Sequence, residues 1–344
     1  MRQRDTSLDL IRIIACTMVV LMHSPMPTEN ANGLLLSSLS YFTAPCIGLF
    51  FMVSGALLLP PPPKNIRKHE AMPFLKKRLK RVLLPTLVWA LLYIIVKLYD
   101  DNLTTAEFLK SVLSIPFSAQ GHGVLWFMYT LLGLYLITPI LHAWLQNAKE
   151  REIRFYLSLW LIAMCYPILK IFVDINDTPT GILYYFSGYI GYYVLGYWML
   201  HYENILNFKV SGGLMCVSLA APMFVKLMHW TVDFYTVFWY LSVFVVAQCV
   251  FWWKVMKSVQ FVLLLSDRTK SLLTLFSNLS FGIYLSHIII MRHIVWEMPF
   301  VVHIQSQLLQ TIIVAFLTLV LSFGVSLAFS VTPLGNAVVG WRKK

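Results

Sequence analysis

Charge is scarce in this chain of 344 residues: only 12% of positions are Asp, Glu, Lys or Arg, with 15 acidic residues against 27 basic ones. Together with 58% hydrophobic residues and a mean hydropathy of +0.71, that scarcity excludes an ordinary soluble domain. Cysteine is sparse too. Cys16, Cys46, Cys165, Cys216 and Cys249 lie within apolar runs, with no CxxC and no close pairing, so neither a disulfide framework nor a zinc site is expected. Internal repeats and lipidation signals are also lacking.

Long apolar runs are what the chain has instead. A helix needs about 20 residues to cross about 30 Å of hydrocarbon. Ten runs qualify, at 8–24, 39–59, 82–99, 124–145, 155–173, 181–202, 212–229, 236–253, 271–291 and 308–333. The fold class read from this is an all-α integral membrane protein, with about ten transmembrane helices in a single domain over residues 1–344. Residues 1–24 imitate a signal peptide, but Asp9, Arg12 and the lack of a small-residue cleavage site favour a retained first span.

The net charge of +12 invites a nucleic-acid reading until the basic residues are placed. Only Lys110, Lys226 and Arg292 fall in the loops opposite the N-terminus, and Arg12, Lys97 and Lys170 fall within spans. The other basic residues lie in segments on the N-terminal side, which the positive-inside rule assigns to the cytoplasm along with both termini. Lys97 and Lys170 sit near span ends and read as snorkelling anchors. The densest basic segment is the loop 60–81, PPPPKNIRKHEAMPFLKKRLKR, whose last half reads as a short amphipathic helix on the inner face. Attraction to anionic lipid headgroups accounts for such charges equally well.

The first span, LDLIRIIACTMVVLMHS at 8–24, carries Asp9, Arg12 and His23 where charge is costly. Eleven helical steps of about 100° bring Arg12 and His23 to within about 20° of one face, and separate them by roughly 16 Å along the axis. Asp9 is placed to pair with Arg12 across one turn. An interfacial histidine and an orienting ion pair are the ordinary readings of such residues, but their common face favours a strip that lines an interior.

Arg12, ten residues, then His23, followed by GLFFMVSGALLL at 48–59, resembles the membrane-bound acyltransferase family 3. RLKR at 78–81 resembles that family's inner-face RxxR, LWFMYTLLGLYLITPIL at 125–141 its fourth span, and SFGIYLSHIII at 280–290 its late histidine-bearing span. The resemblance runs from about residue 5 to 335 and is nearest to stand-alone members that O-acetylate bacterial surface polysaccharides, such as those acting on enterobacterial common antigen. Two departures stand out: Leu10 and Ile11 replace the more usual Gly-Leu between Asp and Arg, and Gly123 and Val124 separate His122 from Leu125 and Trp126.

The resemblance implies an acyl-CoA donor, usually acetyl-CoA, used as co-substrate from the cytoplasm with no permanently bound cofactor. It also implies a hydroxyl acceptor on a cell-surface or lipid-linked glycan, and residence in a bacterial inner membrane. Arg78 and Arg81, three residues apart, are then expected to hold the CoA phosphates, and Arg12 to steer the pantetheine arm. His23 is the expected general base, since a neutral imidazole has the pKa to take a proton from a sugar hydroxyl. His122, Trp126, Tyr284 and His287 are candidates for holding the acceptor or stabilising the oxyanion. Three histidines at one depth could suggest a metal, but their spacing matches no ligand motif and none is expected. Membrane lipids, a second copy of the chain and glycan-assembly enzymes are the partners to consider; nucleic acid is not.

A transporter using the intramembrane Arg and His as a relay is the main alternative, although inverted repeats and paired broken helices are missing. An inactive scaffold for glycan assembly is the third reading.

Overall fold

The structure is a computed structural model that describes residues 4–26, 33–59, 71–119, 123–175, 178–202, 207–258 and 265–343. Every regular element among the described residues is helical. The order is α1 (Thr6–His23), α2 (Gly33–Thr43), α3 (Pro45–Leu58), α4 (Ala71–Asp100), α5 (Thr105–Ser114), α6 (Trp126–Asn147), α7 (Glu150–Met164) and α8 (Tyr166–Leu169). It continues with α9 (Ile190–His201), α10 (Phe208–Leu227), α11 (Phe234–Phe238), α12 (Val243–Ser258), α13 (Asp267–Ile290), α14 (Pro299–Val302), α15 (Gln307–Ser330) and α16 (Gly335–Val338). A π-helical turn, Met291–Val295, prolongs α13.

Among the described residues, nine helical stretches are long and apolar enough to cross a membrane, and the protein is an all-α integral membrane protein. The expected sixth span, 181–202, is the exception. A 3-10 turn at Tyr184–Phe186 and a left-handed Gly188 (φ 88°) interrupt it, leaving α9 with 12 residues. That is about 18 Å of rise, short of a bilayer. The run is apolar for another reason: Gly191 to Met199 are all buried within protein, and a helix apolar all round suits such a setting. The basic inner-face helix also differs from expectation. Its residues are the first turns of the 30-residue α4, continuous with the third span, while 60–70 lie outside the described residues.

The chain divides into two compact units. The first takes Met1–Met22, Asn30–Arg67 and Ile140–Lys270. Its centre is the packing of α3 on α9, made possible by glycine on both helices. A Cβ on Gly55 would stand 1.8 Å from the Tyr193 carbonyl oxygen, and one on Gly196 would stand 1.9 Å from that of Met52. Small residues at a helix crossing let backbones approach and gain van der Waals contact, which is what drives association where lipid removes the hydrophobic incentive. Tyr192 closes the seam by donating its hydroxyl to the Tyr240 carbonyl at 2.7 Å.

The second unit takes His23–Glu29, Lys68–Pro139 and Ser271–Lys344. In α15 the polarity is inverted relative to a soluble helix. Gln310, Val314, Thr318, Ser322, Ser326 and Ser330, four residues apart, are buried, while Leu308, Leu309, Ile312, Phe316 and Val320 are exposed. Such a helix suits lipid outside and small polar side chains inside. Side-chain hydrogen bonds to backbone tie α4 to its neighbours: Trp89 Nε1 donates to the Val338 carbonyl at 2.8 Å, and the Tyr93 hydroxyl to that of Leu285 at 3.0 Å.

Candidate active site

His23 is the last residue of α1, and His287 lies one turn before the end of α13. Their ring centroids are 5.5 Å apart with the planes tilted by 48°. His23 is half-buried, and His287 is buried at 1% exposure. Two of the three histidines expected at one depth are therefore neighbours; the third, His122, lies outside the described residues.

The His287 tautomer follows from its partner. Nδ1 is 2.5 Å from the Tyr284 carbonyl oxygen, which can only accept, so Nδ1 carries the hydrogen and Nε2 a bare lone pair. Nε2 is buried and has no hydrogen-bond partner among the described residues. Buried polar atoms of folded proteins are nearly always paired, so an exception that is also basic marks a candidate contact for a ligand.

Tyr284 stands one turn before His287, with ring centroids 5.5 Å apart. Its hydroxyl donates to the Val124 carbonyl at 2.6 Å, and its ring lies 5.3 Å from that of Phe127. The phenol has one proton, and it is committed to fixing the start of α6 against α13. In this structure Tyr284 thus ties α13 to the start of α6, and an oxyanion role would require that bond to be exchanged. In the tautomer given above, His287 offers Nε2 as an acceptor. Trp126, the first residue of α6, is half-buried two residues beyond Val124.

The basic candidates prove more engaged than their motif suggested. Arg81 Nε donates to the Gly340 carbonyl at 3.0 Å, so this side chain also pins the C-terminal segment to α4. The Arg78 guanidinium lies 5.8 Å above the Phe74 ring on the same helix. Asp9, expected to pair with Arg12, takes a bidentate bond from Arg4 at 2.6 and 2.8 Å, a partner the sequence reading did not identify. Arg4 lies before the helix begins, where helical spacing gives no guide. Arg12 is half-buried on α1, three turns before His23.

Arg292 was also missed, since it reads as a loop cation. It lies on the π-turn, five residues after His287. π-turns inside α-helices recur at functional sites. Among the described residues no group of three His, Cys, Asp or Glu is arranged to hold a metal ion.

A family model described as an acyltransferase domain matches residues 5–331. The chain belongs to acyltransferase family 3. This membrane acyltransferase gives no significant match to a curated protein or to a solved structure. Family membership makes it an enzyme of acyl transfer.

Proposed function

We propose that this acyltransferase moves an acyl group, acetyl in the simplest case, from cytoplasmic acyl-CoA to a hydroxyl of a cell-surface or lipid-linked glycan at the outer face of a bacterial inner membrane. The observation that carries the reading is the His23–His287 pair in a chain of this family. Its resemblance to stand-alone polysaccharide O-acetyltransferases supports the choice of acceptor.

His23 is the general base. It takes the acceptor hydroxyl proton as the oxygen attacks the thioester carbonyl. Collapse of the tetrahedral species forms the ester and expels the CoA thiolate, which recovers the proton. His287 holds the acceptor, its Nε2 lone pair accepting a hydrogen bond from a neighbouring hydroxyl of the same sugar. Arg78 and Arg81 bind the CoA phosphates, and Arg12, three turns along α1 from His23, steers the pantetheine arm. Asp9 keeps that end of α1 electrostatically balanced.

Mass spectrometry of surface glycans from cells with the native protein, His23→Ala and a deletion, at matched membrane levels, tests this. The same acyl ester should vanish in the variant and the deletion. An ester that persists in His23→Ala removes His23 as the base. Glycans unchanged by the deletion, with substrate counterflow in proteoliposomes lacking acyl-CoA, would establish the transporter reading instead.

A further inference from the structure

A cavity of about 320 Å³ opens between the last turns of α4, the start of α6 and the end of α13 with its π-turn. Its walls share elements with the histidine site without including either imidazole: Val124, whose carbonyl holds Tyr284, and Ile288, next in sequence to His287, both line it, as does Tyr93. Its volume is at the low end for small-ligand sites and suits one monosaccharide unit.

The charged groups at its rim are unequally occupied. His293 Nε2 is 3.4 Å from Asp100, and Lys97, 3.8 Å from Asp101, has an opposite charge beside it. Arg292 does not. Its guanidinium lies 6.0 Å from the centroid of the Trp296 ring and makes no hydrogen bond or ion pair among the described residues. A guanidinium stacked on an indole is held by one face while its edge, with the fork of N–H donors, stays available. The π-turn sets its direction: the Trp296 N–H bonds to the Met291 carbonyl at 2.9 Å, five residues back, so Arg292 stands off the ordinary helical register.

We propose that this cavity is the acceptor subsite, and that Arg292 recognises an anionic group, a carboxylate or a phosphate, on the sugar whose hydroxyl is acylated. The proposal rests on the acyl-transfer reading given above. A bidentate bond from Arg292 to the anion fixes the charged end of the sugar in this cavity, and the hydroxyl to be acylated extends past Val124 and Ile288 toward the histidine pair. Asp100 and Asp101 repel an anion placed wrongly at the rim. Arg292 is thus a specificity-determining residue that leaves the reacting atoms untouched.

The test uses the purified full-length protein in phosphatidylcholine nanodiscs, with glucuronate, glucose 1-phosphate and glucose as probes. Thermal stabilisation reads binding, and transfer of label from acetyl-CoA reads activity. An anionic probe should bind at least about tenfold more tightly than glucose, the worth of one charge-assisted pair. Arg292→Gln should erase that preference and raise KM for the anionic acceptor with kcat and the acetyl-CoA KM little changed, and Arg292→Lys should restore it only in part. Preference for glucuronate identifies a carboxylate and preference for glucose 1-phosphate a phosphate; either supports the proposal. Transfer with no anionic preference, or a preference that survives in Arg292→Gln, overturns it while leaving the acyl-transfer reading in place. Selective, Arg292-dependent binding without transfer supports the subsite and counts against the acyl-transfer reading. Stabilisation that follows phosphatidylglycerol in the nanodisc, with none from the sugars, makes Arg292 a lipid-headgroup contact and overturns the proposal.

Discussion

At the α3–α9 seam of the first unit two backbones touch so closely that a single methyl group at Gly55 would fall inside the Tyr193 carbonyl, whereas in the second unit a basic nitrogen of His287 is buried with no hydrogen-bond partner among the described residues. Both places are inaccessible to solvent, and they use that isolation differently. The seam converts it into van der Waals contact and a fixed helix pair. The histidine pair forgoes about 1–3 kcal/mol by leaving a polar atom without its hydrogen bond, which in the proposed function keeps a lone pair for the acceptor. Orphaned atoms are not confined to the second unit, since the Trp198 indole nitrogen also lacks a partner. That indole can only donate, however, while His287 Nε2 is basic and is held in one tautomer.

The contrast predicts where substitutions should act on amount of protein and where on chemistry. The largest loss is expected for Gly55→Leu or Gly196→Leu, which force backbone apart at the crossing and cost about 3 kcal/mol or more. Membrane levels measured by fluorescence-detected size exclusion should collapse, while Gly133→Ala, with open space at its Cβ, should leave them unchanged. A seam that tolerates leucine would mean that the close approach is not what holds these helices.

His23→Ala should lower kcat by about 10²–10⁴-fold, as expected for loss of a general base, with protein levels near native. His287→Ala should instead appear chiefly in the acceptor KM. The double variant should add little to the kcat loss of His23→Ala if the two act on one substrate. Equal kcat losses in both single variants would shift the base to a shared role.

Tyr284→Phe separates positioning from chemistry. It removes the bond to the Val124 carbonyl, so melting should report a loss of about 1 kcal/mol, with kcat reduced by less than about tenfold. A kcat loss above about a hundredfold at unchanged stability would restore Tyr284 as an oxyanion donor.

The smallest effect concerns Asp5. Burial raises its pKa, but the hydrogen bond and charge of Lys257, with bonds from the Ser7 and Leu8 backbone, hold the carboxyl below its ordinary value. Because the folded-state pKa is depressed, the stabilisation is present above the ordinary carboxylate pKa and is lost as pH falls through and below it. Asp5→Asn should therefore cost at most about 1 kcal/mol at neutral pH and nothing once both forms are neutral in acid, measured by melting in detergent across pH.

Much of this was legible in the sequence where the signal is local. Apolar run length located the nine long apolar helical stretches found among the described residues, and the helical period placed Arg12 and His23 on one face of α1. The spacing of SFGIYLSHIII put Tyr284 and His287 one turn apart, as the structure has them. The misreading of 181–202 has a physical cause: a helix enclosed by protein and one facing lipid are equally apolar, so hydropathy cannot tell Tyr192 in a seam from a residue in a bilayer. Long-range pairs left no local trace either. Nothing near Tyr284 in sequence points to Val124, 160 positions away, nor does the neighbourhood of Arg81 point to Gly340. Arg292 escaped because a π-turn looks like any other helix end in one dimension.

That turn also places a joint between two kinds of inheritance. A π-turn is an α-helix with one residue too many, so removing one residue within Met291–Val295 would rewind the segment and swing whatever follows by about 100°, while His287 and Tyr284, upstream, stay as they are. Under the proposed function, descendants of one ancestral enzyme could thus change the acceptor they select by a single-codon insertion or loss, without disturbing the two imidazoles.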